Sequence, residues 1–144
     1  MQLNISIATT REQRETCYRL RHEVFVEEQS VPVALEIDDH DEKDAIHYLG
    51  EFDGVPAAAS RIVLKDGTAK IGRLVVSKDH RGAGHGVAMM RFMLNHIRDE
   101  GLADIVALDA QTQATGLYEA LGFEPEGESS MDAGIPHVRM VRVV

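Results

Sequence analysis

The sequence contains few of the features that mark membrane proteins or disulfide-stabilised secreted domains. Only one of its 144 residues is a cysteine, so the chain cannot form an internal disulfide. Its apolar runs fall short of the roughly 18 residues that span a bilayer, and its N-terminus does not show the pattern of a signal peptide. With a hydrophobic content of 44%, these absences predict a globular cytoplasmic protein that forms one domain over residues 1–144.

Positive charge is also scarce, because 15 Lys and Arg stand against 24 Asp and Glu, a formal net charge of -9. Proteins bind nucleic acids and anionic lipid surfaces through positive patches. Neither nucleic acid nor a membrane is therefore an expected partner, and a cationic partner such as an amine is favoured instead. The histidines show no metal-ligand spacing with one another or with Cys17, so we expect no metal centre.

Apolar periodicity and turn signals predict alternating strands and helices. A strand at residues 3–8 precedes a helix that opens at Thr9, with Glu12 completing a capping box, and runs to about Glu28. Asp-Gly pairs at 53–54 and 66–67 join three antiparallel strands. A helix ending at Gly101, a strand at 104–110, a helix ending at Gly122 and a final strand follow. The order predicts an α/β (α+β) domain with a mixed, mostly antiparallel central sheet flanked by helices.

Three glycines, Gly82, Gly84 and Gly86, fall within five positions between a predicted strand and a predicted helix. The dinucleotide-binding fingerprint fails because Val87 stands where its third glycine belongs, and the P-loop fails because no Gly-Lys-Ser/Thr follows. A third interpretation is a pyrophosphate held by backbone N–H groups at a helix N-terminus, with Arg81 as a fixed cation beside it. A plain glycine-rich loop is the alternative.

The motif Arg81-x-x-Gly84-x-Gly86 between a strand and a helix resembles the acetyl-CoA signature of the GCN5-related N-acetyltransferase (GNAT) family. The stretches RHEVFVEEQSVP, EIDDHDEKDAIH, LDAQTQATGLYEALGF and DAGIPHVRM resemble the ElaA-like branch of that family. The resemblance implies a GNAT-type acyl-CoA acyltransferase fold. It also implies direct transfer of an acetyl group from acetyl-CoA, the co-substrate, to a primary amine of a small molecule or peptide. It allows a homodimer, although no stretch of the sequence identifies an interface.

The resemblance also assigns the residues that would hold acetyl-CoA. The pantetheine arm would bind the main chain of a bulged strand before the glycine loop, and Gly72 makes a bulge there chemically reasonable. The strand residues implied are Leu74, Val75 and Val76. The residues implied for the pyrophosphate are Arg81, Gly82, Ala83, Gly84, His85, Gly86 and Val87.

Acetyl transfer needs an acid for the departing thiolate and a base for the amine. The resemblance points to Tyr118 as the acid, since a phenol with a pKa near ~10 keeps its proton at neutral pH. An aromatic side chain packed on the sheet is the alternative. Glu36 is a candidate base, and Asp38 and Glu28 are candidate acceptor-binding groups; a solvated acidic loop is the alternative for each carboxylate.

Strand register gives a further candidate group that does not depend on the resemblance. If both Asp-Gly loops are two-residue turns, His47 lies opposite Ser60 and Ser60 opposite Arg73, so the three side chains share one sheet face. Such a polar row predicts either a satisfied structural cluster or a site with His47 as a base and Arg73 at the acceptor. A bulge in the third strand would move Arg73 to the other face.

His137 begins the last strand, within a stretch that resembles the ElaA-like branch, and is predicted to lie at the substrate mouth. Two other functions stay open. One is a non-catalytic CoA-binding sensor module. The other is an acyltransferase similar to the acyl-homoserine-lactone synthases, because RHEVF is followed by spaced acidic residues. The sequence does not identify the amine acceptor.

Overall fold

The computed structural model describes residues 3–38 and 40–144. Its strands are β1 (Leu3–Ile7), β2 (Ile46–Phe52), β3 (Val55–Lys65), β4 (Thr68–Val76), β5 (Ile105–Gln111), β6 (Glu124–Pro125), β7 (Ser130–Asp132) and β8 (Ile135–Val143). Its α-helices are α1 (Arg11–Arg21), α2 (Val33–Glu36), α3 (His40–Lys43), α4 (His85–Asp99) and α5 (Thr115–Glu119). The predicted elements occur in the predicted order, and the short strands β6 and β7 and the single-turn helices α2 and α3 are additional.

The strands form one eight-stranded sheet in the order β1-β2-β3-β4-β5-β8-β6, with β7 paired to β8. All pairs are antiparallel except β4 with β5. Helices α4 and α1 pack on opposite faces of the sheet. Neighbouring residues of a strand point to opposite sides, so each central strand contributes side chains to both faces. Tyr48 and Ala58 contact the α4 side of the core and Leu49 and Ala59 the α1 side. The predicted mixed, mostly antiparallel sheet with flanking helices is confirmed.

Helix α1 starts one residue later than predicted, and the predicted helical stretch to about Glu28 is formed by α1 together with a π-helix. The capping residue is Thr10, whose hydroxyl accepts a hydrogen bond from the Gln13 backbone while the Gln13 side chain bonds the backbone of Thr10. The predicted box of Thr9 and Glu12 is therefore wrong by one position. After Arg21 the chain continues as a π-helix over His22–Glu28, a rare geometry that occurs most often at functional sites.

Two bulges change the predicted register of the central strands. Between β2 and β3 the register shifts at Gly50 and Glu51, so His47 lies opposite Arg61 and Tyr48 lies opposite Ser60. The predicted polar row of His47, Ser60 and Arg73 is therefore wrong, because Ser60 faces α4 while His47 faces α1. A close contact fixes the first bulge region: a Cβ at Gly50 would come within 3.1 Å of the Met89 sulfur on α4.

The second bulge lies in β4 and supports the expectation drawn from Gly72. The register with β3 shifts between Ala59 and Arg61, and Arg73 takes a left-handed backbone with φ of 53°. An arginine in this conformation is uncommon and carries backbone strain. The bulge turns the Arg73 side chain towards α2, on the α1 side of the sheet, so Arg73 shares a face with His47 and not with Ser60.

Strands β4 and β5 diverge after a short paired section. Their register runs only from Thr68 opposite Ile105 to Ile71 opposite Leu108, although β4 continues to Val76 and β5 to Gln111. Within the described ranges, the last residues of β4 have no strand partner on the β5 side, so their backbone groups face an opening in the sheet. Nowhere in the described chain is a helix long and apolar enough to cross a membrane.

Candidate active site

A cleft of about 860 Å³ occupies the opening between β4 and β5. Its walls come from both diverging strands, the π-helix, the α2 segment, the glycine loop, α5 and the β7–β8 hairpin. Tyr118, Glu36, Arg73, Arg81 and His137 all line it. One cavity therefore brings together side chains from most of the predicted site.

The glycine loop leaves its backbone open to solvent. Gly82 and Gly84 have φ of +83° and +80°, and a Cβ added at either position would meet no atom within 4 Å. Gly84 caps the N-terminus of α4 with left-handed backbone and without a side-chain hydrogen bond. The first N–H groups of α4 therefore have space for an anion in front of them, in the direction that the helix dipole favours.

The side chains of Arg81 and His85, both in the loop, already contact other residues of the protein. Arg81 donates through Nη1 and Nη2 to both carboxylate oxygens of Glu28 at 2.8 Å, and through Nε to the Val76 carbonyl at 3.0 Å. Hydrogen bonds from Arg81 hold the pKa of Glu28 below its usual value. The His85 ring is 7% exposed and lies 5.2 Å from the Phe52 ring, centroid to centroid, so His85 offers the loop its main chain only.

The end of β4 presents main chain to the cleft while its side chains pack elsewhere. Val75 is buried on the α1 side, and Leu74 and Val76 pack against the core on the α4 side. These contacts fix the backbone at Leu74–Val76 without using the groups that face β5. A ligand arm lying in the opening can therefore take the hydrogen bonds that a paired strand would have made.

Tyr118 projects from α5 into the same cleft. Its ring packs edge-on against Phe123 with 6.2 Å between centroids, and burial raises the pKa of its hydroxyl. In the part of the chain that the structure describes, the hydroxyl has no hydrogen-bond partner. Tyr118 is therefore a protonated donor that faces the cleft with its proton uncommitted.

The acid-rich segment that contains α2 and α3 is not a solvated loop. Arg21, at the end of α1 and 1% exposed, bonds Glu36 through Nε at 2.5 Å and Asp41 through Nη1 at 2.7 Å. Arg61 bonds both oxygens of Asp38 at 2.6 and 2.7 Å and reaches Asp41 at 2.8 Å. These five side chains, Arg21, Glu36, Asp38, Asp41 and Arg61, form what we call the charge cluster.

The charge cluster keeps two of its acidic members, Asp41 and Asp38, ionised. Burial alone would raise the pKa of Asp41, but the hydrogen bonds and charge of Arg21, together with the charge of Arg61, hold it well below its usual range. Hydrogen bonds from Arg61 lower the pKa of Asp38 in the same way. Glu36 is 3% exposed and is the cleft-lining member that contacts Arg21. The cluster fastens the α2 segment over the cleft.

Arg73 adds a second attachment between β4 and α2. Its Nε donates to the Glu36 carbonyl at 3.0 Å and its Nη2 to the Leu35 carbonyl at 3.2 Å, at the end of α2. Burial lowers the pKa of Arg73, and the positive charges of Arg61 and Arg21 act in the same direction. The bulge residue thus joins the strand end at Leu74–Val76 to the segment above it.

The structure does not bring His47 to the cleft. His47 is 2% exposed, its Nε2 lies 2.8 Å from the Asp41 carbonyl, and its ring packs edge-on against Tyr18. A carbonyl only accepts, so Nε2 donates, and burial lowers the pKa of the imidazole. The physical reason is position: β3 separates β2 from the opening beside β4, and Tyr18 of α1 and the Asp41 carbonyl of α3 cover the His47 ring.

Glu28 and His137 line the cleft from different elements, the π-helix and β8. Glu28 is bonded to Arg81, so this candidate acceptor-binding carboxylate lies beside the glycine loop. His137 lies on β8 opposite Gln111 of β5, on the wall across from β4. The predicted acceptor-binding residues Glu28, Asp38, Arg73 and His137 thus all line the cleft, each from a different part of its wall.

Sequence reasoning missed two central residues, Arg21 and Arg61. Arg21 follows Cys17 by four residues and precedes Val24 by three, so it lies on the apolar face of its helix, and that position was a usable signal. The position of Arg61 could be predicted only from the true β2–β3 register, and the bulge changes that register in a way the sequence does not show. Buried arginines are almost always paired. Their partners here are acidic residues of the segment for which a solvated loop was the alternative interpretation.

The cleft is not acidic although the chain is. The basic side chains that line it within residues 3–38 and 40–144 are Arg61, Lys65, Lys70, Arg73, Arg81 and Arg139, and the carboxylates are Glu28, Glu36, Asp38, Asp66, Asp109 and Asp132. The two sets balance, so the net charge gives no ground for a cationic partner here. Over the same described ranges, no three His, Cys, Asp or Glu side chains are grouped to hold a metal ion.

Comparison with known proteins gives consistent results. A family model described as acetyltransferase (GNAT) domain matches residues 8–144. The Bacillus subtilis protein named uncharacterized N-acetyltransferase YjcF is 38% identical over 139 residues, which cover 94% of this chain and 96% of YjcF. The crystal structure of Escherichia coli ElaA superposes with a TM-score of 0.88 at 30% identity, covering 98% of this chain and 99% of ElaA. The crystal structure of an acyl-CoA N-acyltransferase from Pseudomonas aeruginosa superposes with a TM-score of 0.86 at 31% sequence identity, covering 98% of both chains.

Proposed function

This chain belongs to the GNAT acetyltransferase family, and from that premise we propose that it transfers acetyl directly from acetyl-CoA to a primary amine of a small molecule or peptide. The observation that carries the proposal is the divergence of β4 and β5 beside an open glycine loop. The relative from Pseudomonas aeruginosa, named an acyl-CoA N-acyltransferase, supports the same class of donor.

The residues present fit acetyl-CoA as co-substrate. The positive φ and empty surroundings of Gly82 and Gly84 leave room for phosphate groups against the backbone, and the first N–H groups of α4 and the Arg81 guanidinium supply donors. The main chain of Leu74–Val76 has no pairing with β5, so apart from the Val76 carbonyl, which accepts from Arg81, its groups on that side can bond the pantetheine arm. Bound there, acetyl-CoA supplies an activated thioester.

Tyr118 is the proposed proton donor to the departing sulfur. It lines the cleft, its hydroxyl is uncommitted in the described structure, and burial raises its pKa, so it keeps its proton at neutral pH. Main-chain N–H groups at the β4 bulge are the proposed donors to the acetyl oxygen during transfer. Binding and acid catalysis are thereby assigned to opposite walls of one cleft.

Glu36 and His47, the bases suggested by the sequence, are given structural roles in this proposal. Glu36 is bonded to Arg21 and carries α2, whereas His47 is buried and already donates from Nε2 to a carbonyl. Glu36 is thus committed to its ion pair with Arg21, and His47 is not among the described residues that line the cleft. Their contribution is to hold the α2 segment in place above the cleft, where Arg73 also contacts it.

The experiment is an assay of acetyl-CoA against a panel of polyamines, aminoglycosides, amino sugars and peptides, following free thiol and product mass. We expect at least one amine to be acetylated, and Tyr118→Phe to lower kcat about 100-fold, the ordinary contribution of a general acid. The Kd for acetyl-CoA should stay unchanged, since the hydroxyl acts only in transfer. Tight acetyl-CoA binding without transfer to any amine would favour a CoA sensor instead.

A further inference from the structure

His137 lies on the cleft wall beside the stretch of β5 that has diverged from β4. Asp109 is the first residue of β5 after its pairing with β4 ends, and His137 pairs with Gln111, two residues further along. Residues two apart on a strand share a face. Gln111 also bonds Gln29, which follows the π-helix, so His137 faces the side of the sheet on which α1 and the π-helix lie.

One ring nitrogen of His137 is committed and the other is free. Nδ1 lies 2.7 Å from the Ile135 carbonyl; because a carbonyl can only accept, Nδ1 carries the hydrogen and donates it. The neutral ring therefore has its lone pair on Nε2. In the described structure Nε2 has no hydrogen-bond partner. A partly buried imidazole with a fixed tautomer and a free lone pair is equipped to accept a proton.

The other acidic and imidazole side chains of the cleft are less suited to that task. Four carboxylates are ion-paired, Glu28 with Arg81, Glu36 with Arg21, Asp38 with Arg61 and Asp109 with Lys70. Asp66 and Asp132 are exposed at turns and strand ends. His40 is exposed on α3 and its Nδ1 is paired with Asp44. His137 is thus the described cleft-lining residue that combines partial burial with an uncommitted acceptor atom.

We propose that His137 is the general base of the acetyl transfer, an assignment that rests on the proposed function. His137 Nε2 takes the proton that the neutral amine loses as its N–C bond to the acetyl group forms and the C–S bond breaks. Tyr118 gives its proton to the departing sulfur, and both residues then exchange one proton with solvent, which restores their starting states. The amine must therefore enter between the β7–β8 hairpin and the α2 segment.

The decisive variant is His137→Asn, whose amide nitrogen takes the place of Nδ1 and preserves the donation to Ile135 while removing Nε2. We expect kcat to fall about 100-fold, with the Kd for acetyl-CoA and the thermal midpoint changed little. The matched control is His40→Asn, which removes another imidazole at the same cleft and should leave kcat within about twofold. Added imidazole should restore part of the activity of His137→Ala but none of the activity of Tyr118→Phe.

A second measurement needs no substrate. In protein labelled with ¹⁵N-histidine, long-range ¹H–¹⁵N spectra show which ring nitrogen carries the hydrogen, with His137→Asn identifying the resonance. The proposal predicts the Nδ1–H form for neutral His137. The Nε2–H form, or full turnover by His137→Asn, would overturn it. A wild-type enzyme that acetylates no amine but shows the Nδ1–H form would instead count against the proposed function, so the two failures are distinguishable.

Discussion

The glycine loop at residues 81–86 and the charge cluster beneath α2 lie on one cleft but are built in opposite ways. The loop consists of backbone that nothing covers, since a Cβ at Gly82 or Gly84 meets no atom within 4 Å. In the charge cluster most side chains are almost fully covered, with Arg21 at 1% and Glu36 at 3% exposure, and Asp38, at 34%, is the more open member. The loop is adapted to receive charge from a ligand, whereas the cluster has neutralised its charge within the protein.

This difference separates binding from stability. Substitutions in the loop should affect affinity for acetyl-CoA more than folding, because the loop supports little of the core. Substitutions in the charge cluster should affect folding first, because removal of one partner leaves a buried charge without compensation.

The largest effect is expected for Arg21→Met. Glu36 loses its buried partner and Asp41 loses one of two, so the free energy of unfolding should fall by about 3–5 kcal/mol. The control on the same helix is Arg11→Met, whose pair with Glu15 is 86% and 61% exposed and should contribute under about 0.5 kcal/mol. Urea denaturation at neutral pH measures both. Equal, small losses would show that the cluster does not hold the fold.

The two regions also differ in how well the sequence predicts them. The glycine loop was interpretable because its requirement is local: positive φ at Gly82 and Gly84 and a helix that starts at once afterwards. The charge cluster joins α1, the α2 segment and β3, so its pairs are 15 to 23 residues apart in the chain. No local pattern encodes those distances, and acidic residues without visible partners look solvated.

Strand register failed for a comparable reason. The Asp-Gly turns were predicted correctly, and a two-residue count from each gives the right pairing up to the first bulge. Beyond it the register depends on how closely α4 approaches Gly50, a tertiary contact. The bulge at Arg73 was expected from the family resemblance, yet the left-handed residue is Arg73 itself and not Gly72. Strain at a non-glycine residue is visible only in the structure.

The next largest effect is expected for Gly84→Val, on the affinity for acetyl-CoA. A side chain at φ +80° is strained, which costs the free protein roughly 1–2 kcal/mol, and it would fill the space in front of α4. We expect the Kd for acetyl-CoA to rise at least about tenfold, equivalent to about 1.4 kcal/mol. Gly54→Val is the matched control: φ is +79° in a turn with nothing within 4 Å. Calorimetric titration should show normal affinity for that control despite a similar loss of stability.

A smaller effect is expected for Asp38→Asn, and it depends on pH. The folded pKa of Asp38 lies below its unfolded value because of Arg61. Its stabilisation is therefore present above the unfolded value of about 3.9 and is lost as the pH falls through the lower folded value. The variant should be less stable than wild type by about 1 kcal/mol at pH 7. That gap should close on acidification below about pH 3.9; a constant gap in urea titrations would contradict the assignment.

The smallest effect is expected for Glu28→Gln, at the glycine loop, where a carboxylate of the protein pairs with the arginine proposed to bind phosphate. Glu28 is bonded to Arg81 at the glycine loop, so a pyrophosphate arriving there must compete with this carboxylate for the guanidinium. Glu28→Gln removes the competitor and its negative charge, and the Kd for acetyl-CoA should fall about threefold at low salt, with the difference shrinking as salt screens it. Arg81→Gln should instead raise the Kd for acetyl-CoA. If Glu28→Gln instead weakens binding, Glu28 orients Arg81 for the phosphates, and the loop would share the internally paired design of the charge cluster.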